Sequence, residues 1–380
     1  MKVAIVLMTR WWRGSIDHDG YATAIRALGH VPVLVCLGND AGDADFEVVV
    51  ASQESQATVS FWRDLDVDVA VVWNWLRGSQ LLQTLRQANV KIAIRGDTDG
   101  ILSKRVFPCE SFWRIVDTGG TLRNRIGLAK YFALQAWPSA KEEDAELIAT
   151  VDYADAVIVE TPTAMRGLER ILSFYNEEQY LPKISVVPHS IRDAFVMRPI
   201  TNISARRRQV IAAGRWDSSQ KNPELLLETL RRLLASDPSV VVVVCGPIKH
   251  EIRVDLLRLG ERIAVLGKVP LEQMIHHLVE SQVFLSTSRW ETQPIGAMEA
   301  ICLGCRVVAP PIRGFIDLLA DSQLGRLAGS SKPGDLAATV RMEMQAIDRG
   351  DCKSEVLAAN YRQRVNNMSV VSEILTSVMR

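Results

Sequence analysis

Short apolar runs alternate with amphipathic stretches along the whole 380-residue chain. The amphipathic stretches repeat apolar residues at helical spacing, as at 222–236 and 271–281. The apolar runs read as strands: KVAIVLM (2–8), VPVLVCL (31–37), DVAVVWN (68–74), VKIAIRG (90–96), DAVIVET (155–161) and ISVVPHS (184–190), then RQVIAAG (208–214), VVVVVCG (240–246), RIAVLGK (262–268), QVFLSTS (282–288) and RVVAPP (306–311). This alternation predicts parallel sheets with crossover helices and places the chain in the α/β class.

The alternation lapses near residues 191–209, where Pro199 and three consecutive arginines (206–208) occur. A chain of this length is too long for one core of ordinary size, so two domains are expected. We predict two Rossmann-like α/β domains that face each other across a cleft, over residues 1–195 and 196–360. The final stretch, 361–380, reads as a helix that packs back on the first domain.

Composition narrows the functional classes. Hydrophobic residues make up 48% of the chain and charged residues 23%, which is typical of a soluble globular protein. The net charge of zero argues against a nucleic-acid partner. Residues 1–195 hold 20 Lys/Arg and 25 Asp/Glu, which leaves 24 and 19 for residues 196–380. This imbalance is a mild indication that the second half meets an anion.

Cysteine usage and hydropathy bear on location. The six cysteines are scattered through strand-like and helix-like segments, which suits a reducing cytoplasm. Cys302 and Cys305 form one CxxC without a second pair, so buried, inert thiols are favoured over a redox or metal role. No apolar run reaches the length of about 18 residues needed to span a bilayer. Segment 103–137 carries six Lys/Arg against two acids, interleaved with Phe and Trp, and is either a surface for an anionic membrane or a solvated rim.

The strongest chemical signal is WETQPIGAMEA, at 290–300. Glu291 follows a predicted strand, and Glu299 lies eight residues later in the first turns of the next helix. Such a loop lies at the carboxyl end of a parallel strand, where open α/β sheets bind ligands. Its backbone N–H groups suit a diphosphate, and a carboxylate suits vicinal ribose hydroxyls. Taken alone, the spacing equally fits a helix-capping Glu299 and a solvated Glu291.

A second signal favours the ligand site. In GRWDSSQKNP, Gly214 ends a strand, Arg215 follows at once, and Lys221 precedes a helix that begins at Asn222-Pro223. Two cations at one strand–loop–helix junction are placed to meet the same anion.

These segments resemble, in order and spacing, the donor domain of the retaining family-4 glycosyltransferases of GT-B fold (glycosyl transferases group 1). The resemblance rests on GRWDSSQK before a helix, CGP after a Val-rich strand, VLGKVPLEQM, and STSRWETQPIGAMEAICLGCRVVA. It covers about residues 155–325. The N-terminal domain, which in this family binds the acceptor, matches only in architecture.

The resemblance implies roles for particular residues. Arg215 and Lys221 would neutralise the donor diphosphate, Glu299 would hold the ribose, and Glu291 would hold the transferred sugar. The donor-binding loops would contribute Thr292, Gln293, Pro294, Ile295, Gly296, Gly214 and Gly14. The family usually needs no divalent metal, so no cofactor is expected.

The chain also departs from the family pattern. His189-Ser190 replaces the common Asn-Gly, and Gln293-Pro294 replaces Phe-Gly. Only Gly14 remains of the adjacent glycines in the first loop. The His that many members carry after the central strand is absent, because the segment reads VKIAIRGDTDG. The acceptor-side candidates are Arg95, Asp97 and His18.

The predicted activity is therefore transfer of a sugar from a nucleotide-diphosphate sugar to an acceptor hydroxyl, with retention of anomeric configuration. The acceptor class stays open between a carbohydrate, a lipid-linked molecule and a small molecule. The predicted location is cytoplasmic, with peripheral contact at the inner membrane face if segment 103–137 binds lipid. Two alternatives remain: a sugar-nucleotide epimerase of the same architecture, and a homologue that binds sugar nucleotides without turnover.

Overall fold

The computed structural model describes residues 1–11, 18–39, 44–73, 78–116 and 122–380. The chain divides into two compact units, the first formed by 1–192 with 365–380 and the second by 193–364. The first domain was predicted to end at residue 195, and the N-terminal part of the first unit ends at residue 192. The returning C-terminal helix was predicted to begin at residue 361, and the segment that joins the first unit begins at residue 365. In the first unit, residues 365–380 belong with the N-terminal part of the chain.

The first unit is built on a seven-stranded parallel sheet of order β5-β3-β1-β6-β7-β8-β9. The strands of the first unit are β1 Lys2–Leu7, β2 Arg10–Trp11, β3 Val31–Cys36, β4 Gly38–Asn39, β5 Glu47–Val50, β6 Val69–Trp73, β7 Lys91–Arg95, β8 Ala156–Val159 and β9 Ile184–Val186. Strands β2 and β4 pair with each other in a separate two-stranded sheet. The helices are α1 His18–Ala27, α2 Gln53–Gln56, α3 Val59–Leu65, α4 Ser79–Gln87, α5 Pro108–Val116, α6 Leu122–Tyr131, α7 Ala140–Tyr153 and α8 Pro162–Phe174.

This sheet is buried on both faces, which explains why its strands read as near-continuous apolar runs. Alternate residues of β1 point to opposite sides: Val3 and Ile5 join one core cluster, and Ala4 and Val6 join the other. The last helix of the chain, α17 Asn367–Met379, supplies five apolar side chains to the first of these clusters. It packs against α1 and β7.

The second unit is built on a six-stranded parallel sheet of order β12-β11-β10-β13-β14-β15. Its strands are β10 Gln209–Ala213, β11 Val241–Cys245, β12 Ile263–Gly267, β13 Val283–Leu285, β14 Arg306–Ala309 and β15 Gly325–Leu327. The helices that follow α8 in the chain are α9 Asp193–Val196, α10 Pro223–Ser236, α11 His250–Leu257, α12 Leu271–Glu280, α13 Ile295–Cys302, α14 Arg313–Leu318, α15 Pro333–Asp348 and α16 Ser354–Val365.

Two parallel α/β sheets were the predicted fold class, and this prediction is confirmed. All eleven predicted strands form. Helix α10 begins at Pro223 as expected, but Asn222 does not cap it with its side chain. Asn222 instead adopts a left-handed conformation (φ 56°), which Asn tolerates better than most residues, and its side chain accepts a hydrogen bond from Arg289.

Candidate active site

The candidate donor site lies where the strand order of the second sheet reverses. Strand β10 pairs with β11 on one side and with β13 on the other. From β10 the chain first winds outward through β11 and β12, and then returns to add β13, β14 and β15 on the other side. Open α/β sheets bind ligands outside the carboxyl ends of strands at such a switch point. The loops that follow β10 and β13 carry the candidate residues.

The loop after β10 is fixed in place by backbone packing. The Trp216 indole is buried and donates to the Cys245 carbonyl oxygen at 2.8 Å. Gly246 approaches so closely that a Cβ atom there would lie 1.9 Å from the Gly214 carbonyl oxygen, and its φ is +112°. Arg215, the neighbour of the buried Trp216, is exposed. Its side chain makes no hydrogen bond or ion pair within the described part of the chain, and it is free to meet an anion.

Lys221 lies on the same loop and contacts Glu291 from the loop after β13. The Lys221 side chain packs over Gly214, since its Cγ is 3.4 Å from where a Cβ of Gly214 would be. Its Nζ is 2.5 Å from Glu291 Oε1. Glu291 is 7% exposed, so it is not a solvated loop acid. The structure thus brings together the predicted diphosphate-binding cation and the predicted sugar-binding carboxylate.

Two further side chains hold Glu291, and sequence reasoning missed both. Ser288 Oγ donates to Glu291 Oε1 at 2.6 Å. Gln220 Nε2 donates to Glu291 Oε2 at 3.3 Å and to the Trp290 carbonyl oxygen at 3.0 Å. Their positions in the sequence could have indicated both residues, because Ser288 is three residues before Glu291 and Gln220 is adjacent to Lys221.

Close backbone packing supports Glu291 from behind. A Cβ atom on Gly314, in the first turn of α14, would lie 2.7 Å from both the Cβ and the carbonyl oxygen of Glu291. Thr287 Oγ1 also donates to the Lys221 carbonyl oxygen at 2.8 Å, which ties the two loops together. The Glu291 carboxylate therefore has a defined position.

The remaining predicted donor residues lie at the start of α13. Thr292, Gln293 and Pro294 form the loop before the helix, and Ile295 and Gly296 begin it. The helix N-terminus places partial positive charge at this loop. A Cβ atom at Gly296 would be in ordinary van der Waals contact with Phe284 Cζ, at 3.6 Å. Glu299 is the fifth residue of α13 and is half-buried, too far along the helix to be its N-cap.

The CxxC at the end of α13 is structural. Burial raises the pKa of Cys302 to about 12 and that of Cys305 to about 11. A thiol with such a pKa is protonated and unreactive near neutrality. Beside it, the buried Arg206 donates to the Leu303 carbonyl oxygen at 2.6 Å and so binds the carbonyl end of the helix.

In the first unit, a buried ionic cluster joins the carboxyl ends of β7 and β8 with the loop after β9. The Arg95 side chain is fully buried and donates to the Val187 carbonyl oxygen at 2.9 Å. Its Nε is 3.6 Å from Glu160 Oε1. Burial raises the pKa of Glu160, and the Arg95 guanidinium opposes that rise. Arg95 was predicted to reach the acceptor; the structure buries it inside the unit, where it supports the strand ends.

Asp97 is the member of this cluster that reaches solvent, with 35% of its side chain exposed. Glu160 accepts hydrogen bonds from the N–H groups of Asp97 and Thr98, both at 3.0 Å, and so holds this turn. His189 Nε2 lies 3.5 Å from Asp97 Oδ1. His189, one of the departures from the family pattern, therefore lies beside the strand end where many members carry their own His. Glu160 and His189 were not predicted as site residues.

The switch point of the first sheet lies between β1 and β6. His18 begins α1, and its ring makes an edge contact with Trp73 at the end of β6, with 5.0 Å between centroids. Gly14, the remaining predicted donor-binding residue, lies outside the described residues.

Known proteins with similar sequences are glycosyltransferases. Residues 207–345, all in the second unit, match the family model of the glycosyl transferases group 1. The chain is 30% identical over 165 residues to a phosphatidyl-myo-inositol mannosyltransferase of Propionibacterium freudenreichii, over 42% of this chain and 41% of that protein. It is 29% identical over 162 residues to a D-inositol 3-phosphate glycosyltransferase of Geodermatophilus obscurus, over 39% of this chain and 34% of that protein. The chain thus spans less than half the length of these curated relatives.

Solved structures share the whole fold. A glycosyltransferase from Rickettsia africae superposes with a TM-score of 0.68 at 14% identity, over 100% of this chain and 98% of that one. HepE of Anabaena, solved in complex with UDP, superposes with a TM-score of 0.67 at 14% identity over the full length of both chains. The predicted family is confirmed for the matched region: residues 207–345 of this chain belong to the glycosyl transferases group 1, and the chain has the GT-B fold of the solved structures.

Proposed function

We propose that this protein transfers a sugar from a nucleotide-diphosphate sugar to an acceptor hydroxyl with retention of anomeric configuration. The observation that carries the proposal is the contact between Lys221 and Glu291 at the switch point of the second sheet, on a loop that also carries the exposed Arg215. A nucleotide-diphosphate sugar presents the three matching groups: a diphosphate, a ribose and a polyhydroxylated ring.

Each group of the donor has a partner in the second unit. Arg215 and Lys221 stabilise the charge that grows on the departing diphosphate, and the N-terminal turn of α13 adds its dipole. Glu299 accepts hydrogen bonds from the ribose hydroxyls. Glu291, with the loop of Thr292 to Gly296, holds the hydroxyls of the transferred sugar. With two cations in place, the diphosphate needs no divalent metal.

Retention needs no base on the face opposite the leaving group. The acceptor oxygen attacks the anomeric carbon from the side that the diphosphate leaves, and the acceptor proton passes to a departing phosphate oxygen. One C–O bond forms as the other breaks, and the nucleoside diphosphate is released.

In the first unit, Asp97 is the group we propose to meet acceptor hydroxyls, with Arg95 and Glu160 supporting it.

The acceptor is a hydroxyl of a carbohydrate, a lipid-linked molecule or a small molecule. The names of the two curated relatives both contain an inositol, as the phospholipid phosphatidyl-myo-inositol in one and as D-inositol 3-phosphate in the other. Inositol phospholipids and inositol phosphates are therefore the first acceptors to test.

The test begins with the donor. Thermal unfolding is measured against a panel of sugar nucleotides, because a ligand that binds the folded state raises Tm. The stabilising donor is then incubated with candidate acceptors, and released nucleoside diphosphate is measured with the glycosylated product. We expect equal amounts of both. Isomerisation of the donor without an acceptor would identify an epimerase, and donor binding without turnover would identify a non-catalytic homologue.

We also propose that the first unit contacts an anionic membrane through α6 and the π-helical turn that follows it, Phe132–Ala136. No residue of α6 is buried. Leu122 is 75% exposed and Leu134 is 74% exposed, and Ile126, Tyr131 and Trp137 are exposed as well. Such a density of exposed apolar side chains marks an interaction surface.

Charge identifies the partner of this surface. Residues 122–137 contain Arg123, Arg125 and Lys130 and no acidic residue. Basic side chains beside exposed aromatic and aliphatic ones are typical of helices that lie in the interface of an anionic bilayer. No helix among the described residues is long and apolar enough to cross a bilayer.

Vesicle sedimentation tests the membrane contact. Vesicles that contain phosphatidylglycerol should bind the protein, and pure phosphatidylcholine should bind it weakly. Leu134→Asp should release it, whereas Leu257→Asp, at an exposed leucine of the second unit, should not. Equal binding of both variants to anionic vesicles would refute this surface.

A further inference from the structure

The candidate donor site contains an internal ion pair between two residues with different proposed ligands. Lys221 is assigned to the diphosphate and Glu291 to the sugar, yet their charged atoms are 2.5 Å apart. The pair is largely shielded, with 23% of the Lys221 side chain and 8% of the Glu291 side chain exposed. A phosphate that approaches Lys221 must therefore compete with a carboxylate already in place.

The two members of the pair are held unequally. Glu291 also accepts hydrogen bonds from Ser288 and Gln220, and Gly314 packs against its backbone. Lys221 Nζ has only Glu291 as a partner among the described residues. Lys221 Nζ is thus the less restrained member of the pair, and the Glu291 carboxylate has capacity to accept further hydrogen bonds.

We propose that the Lys221–Glu291 pair is an exchange element that couples recognition of the sugar to recognition of the diphosphate, an inference that rests on the proposed function. When a sugar nucleotide binds, Lys221 moves to the diphosphate and the sugar hydroxyls replace it at Glu291. A nucleoside diphosphate without a sugar takes Lys221 but offers nothing to Glu291.

This exchange has a directional consequence. The intact donor satisfies both members of the pair, whereas the nucleoside diphosphate product leaves a mostly buried carboxylate without its cation. A buried charge that loses its partner is costly, so the pair re-forms as the product leaves. The pair therefore favours binding of the donor over binding of the product, and it assists product release. A ligand shifts the equilibrium between the paired and the separated state of Lys221 and Glu291 only by its difference in affinity for these two states.

The test is the affinity of the nucleoside diphosphate for Glu291→Gln, measured by isothermal titration calorimetry. Gln keeps the size of the side chain and removes the competing charge. We expect the nucleoside diphosphate to bind about fivefold to tenfold more tightly than to the natural protein. This is about the difference between a charge-assisted and a neutral hydrogen bond, since the Gln oxygen can still accept from Lys221. The intact sugar nucleotide should gain less, because it loses the carboxylate that holds its sugar.

Glu228→Gln is the matched control. Glu228 is a carboxylate of the same unit that pairs with Arg231 and Arg232 on α10, so its removal makes the same change in net charge. We expect it to leave both affinities unchanged. If Glu291→Gln does not fold, Glu291→Ala is tested in its place, and it should also bind the nucleoside diphosphate more tightly.

The outcomes separate this inference from the proposed function. Unchanged or weaker nucleoside diphosphate binding in a folded Glu291→Gln variant overturns the exchange and leaves the proposed function standing. Equal tightening in Glu228→Gln also overturns it, since the effect would then be one of net charge. If the natural protein binds neither nucleoside diphosphate nor sugar nucleotide, the proposed function fails and the exchange fails with it.

Discussion

Replacement of Arg215 by Ala should separate catalysis from stability. The side chain is exposed and makes no hydrogen bond or ion pair within the described residues, so its loss should change the free energy of unfolding by no more than about 0.5 kcal/mol. Loss of one group that stabilises a developing anion costs roughly 10²–10³ in rate, or about 2.7–4 kcal/mol. A large fall in turnover with an unchanged Tm is therefore expected.

Lys221→Ala should behave differently, because it leaves the mostly buried Glu291 without its cation. We expect a similar loss of turnover together with a lower Tm, since a buried carboxylate that loses its cation costs about 3–5 kcal/mol. Initial rates of nucleoside diphosphate release and thermal unfolding measure the two effects. Arg258→Ala, at an exposed arginine of the same unit, is the control and should change neither. Near-normal turnover of a folded Arg215→Ala variant would refute the role of this loop.

Three further results are expected. Glu299→Ala should weaken binding of the free nucleoside diphosphate in calorimetry, because the carboxylate holds the ribose; unchanged affinity would contradict that role. Transfer should survive EDTA, because Arg215 and Lys221 supply the positive charge; a loss that Mg²⁺ restores would count against this. Cys302 and Cys305 should resist alkylation of the folded protein at pH 8, since their pKa values of about 12 and 11 keep them protonated, while the exposed Cys109 reacts; mass spectrometry distinguishes the sites.

Hydrophobic pattern alone predicted most of the fold, for a physical reason. Strands that are buried on both faces must be apolar throughout, so each of the eleven predicted runs was visible. The strands that escaped prediction lie at edges or are very short. β5 is only partly buried, and β15 has three residues, Gly325–Leu327, with an arginine in the middle. Their pairing depends on neighbouring strands, which sequence periodicity does not report.

The sequence predicted which residues form the candidate site, but it did not predict which of them contact each other. Arg215, Lys221, Glu291 and Glu299 could be chosen because they follow strands or begin helices. The Lys221–Glu291 pair could not, because these residues are 70 positions apart in sequence and meet only through the pairing of β10 with β13.

The same limit applies in the first unit. Arg95 ends a strand, as predicted, but a carboxylate 65 residues later, Glu160, keeps it inside. His189 comes from yet another strand end, and its place beside Asp97 follows from sheet order rather than from any local motif.

The most direct test of the account is the anomeric configuration of the freshly formed product. The protein is incubated with an α-linked sugar nucleotide and an acceptor, and the coupling constant of the anomeric proton is read by NMR before the linkage can change. Retention requires an α product, with Arg215 and Lys221 assisting departure of the diphosphate on the face where the acceptor attacks. A β product would contradict the account, because inversion needs a base on the opposite face, and His18 would then become the first candidate for that base.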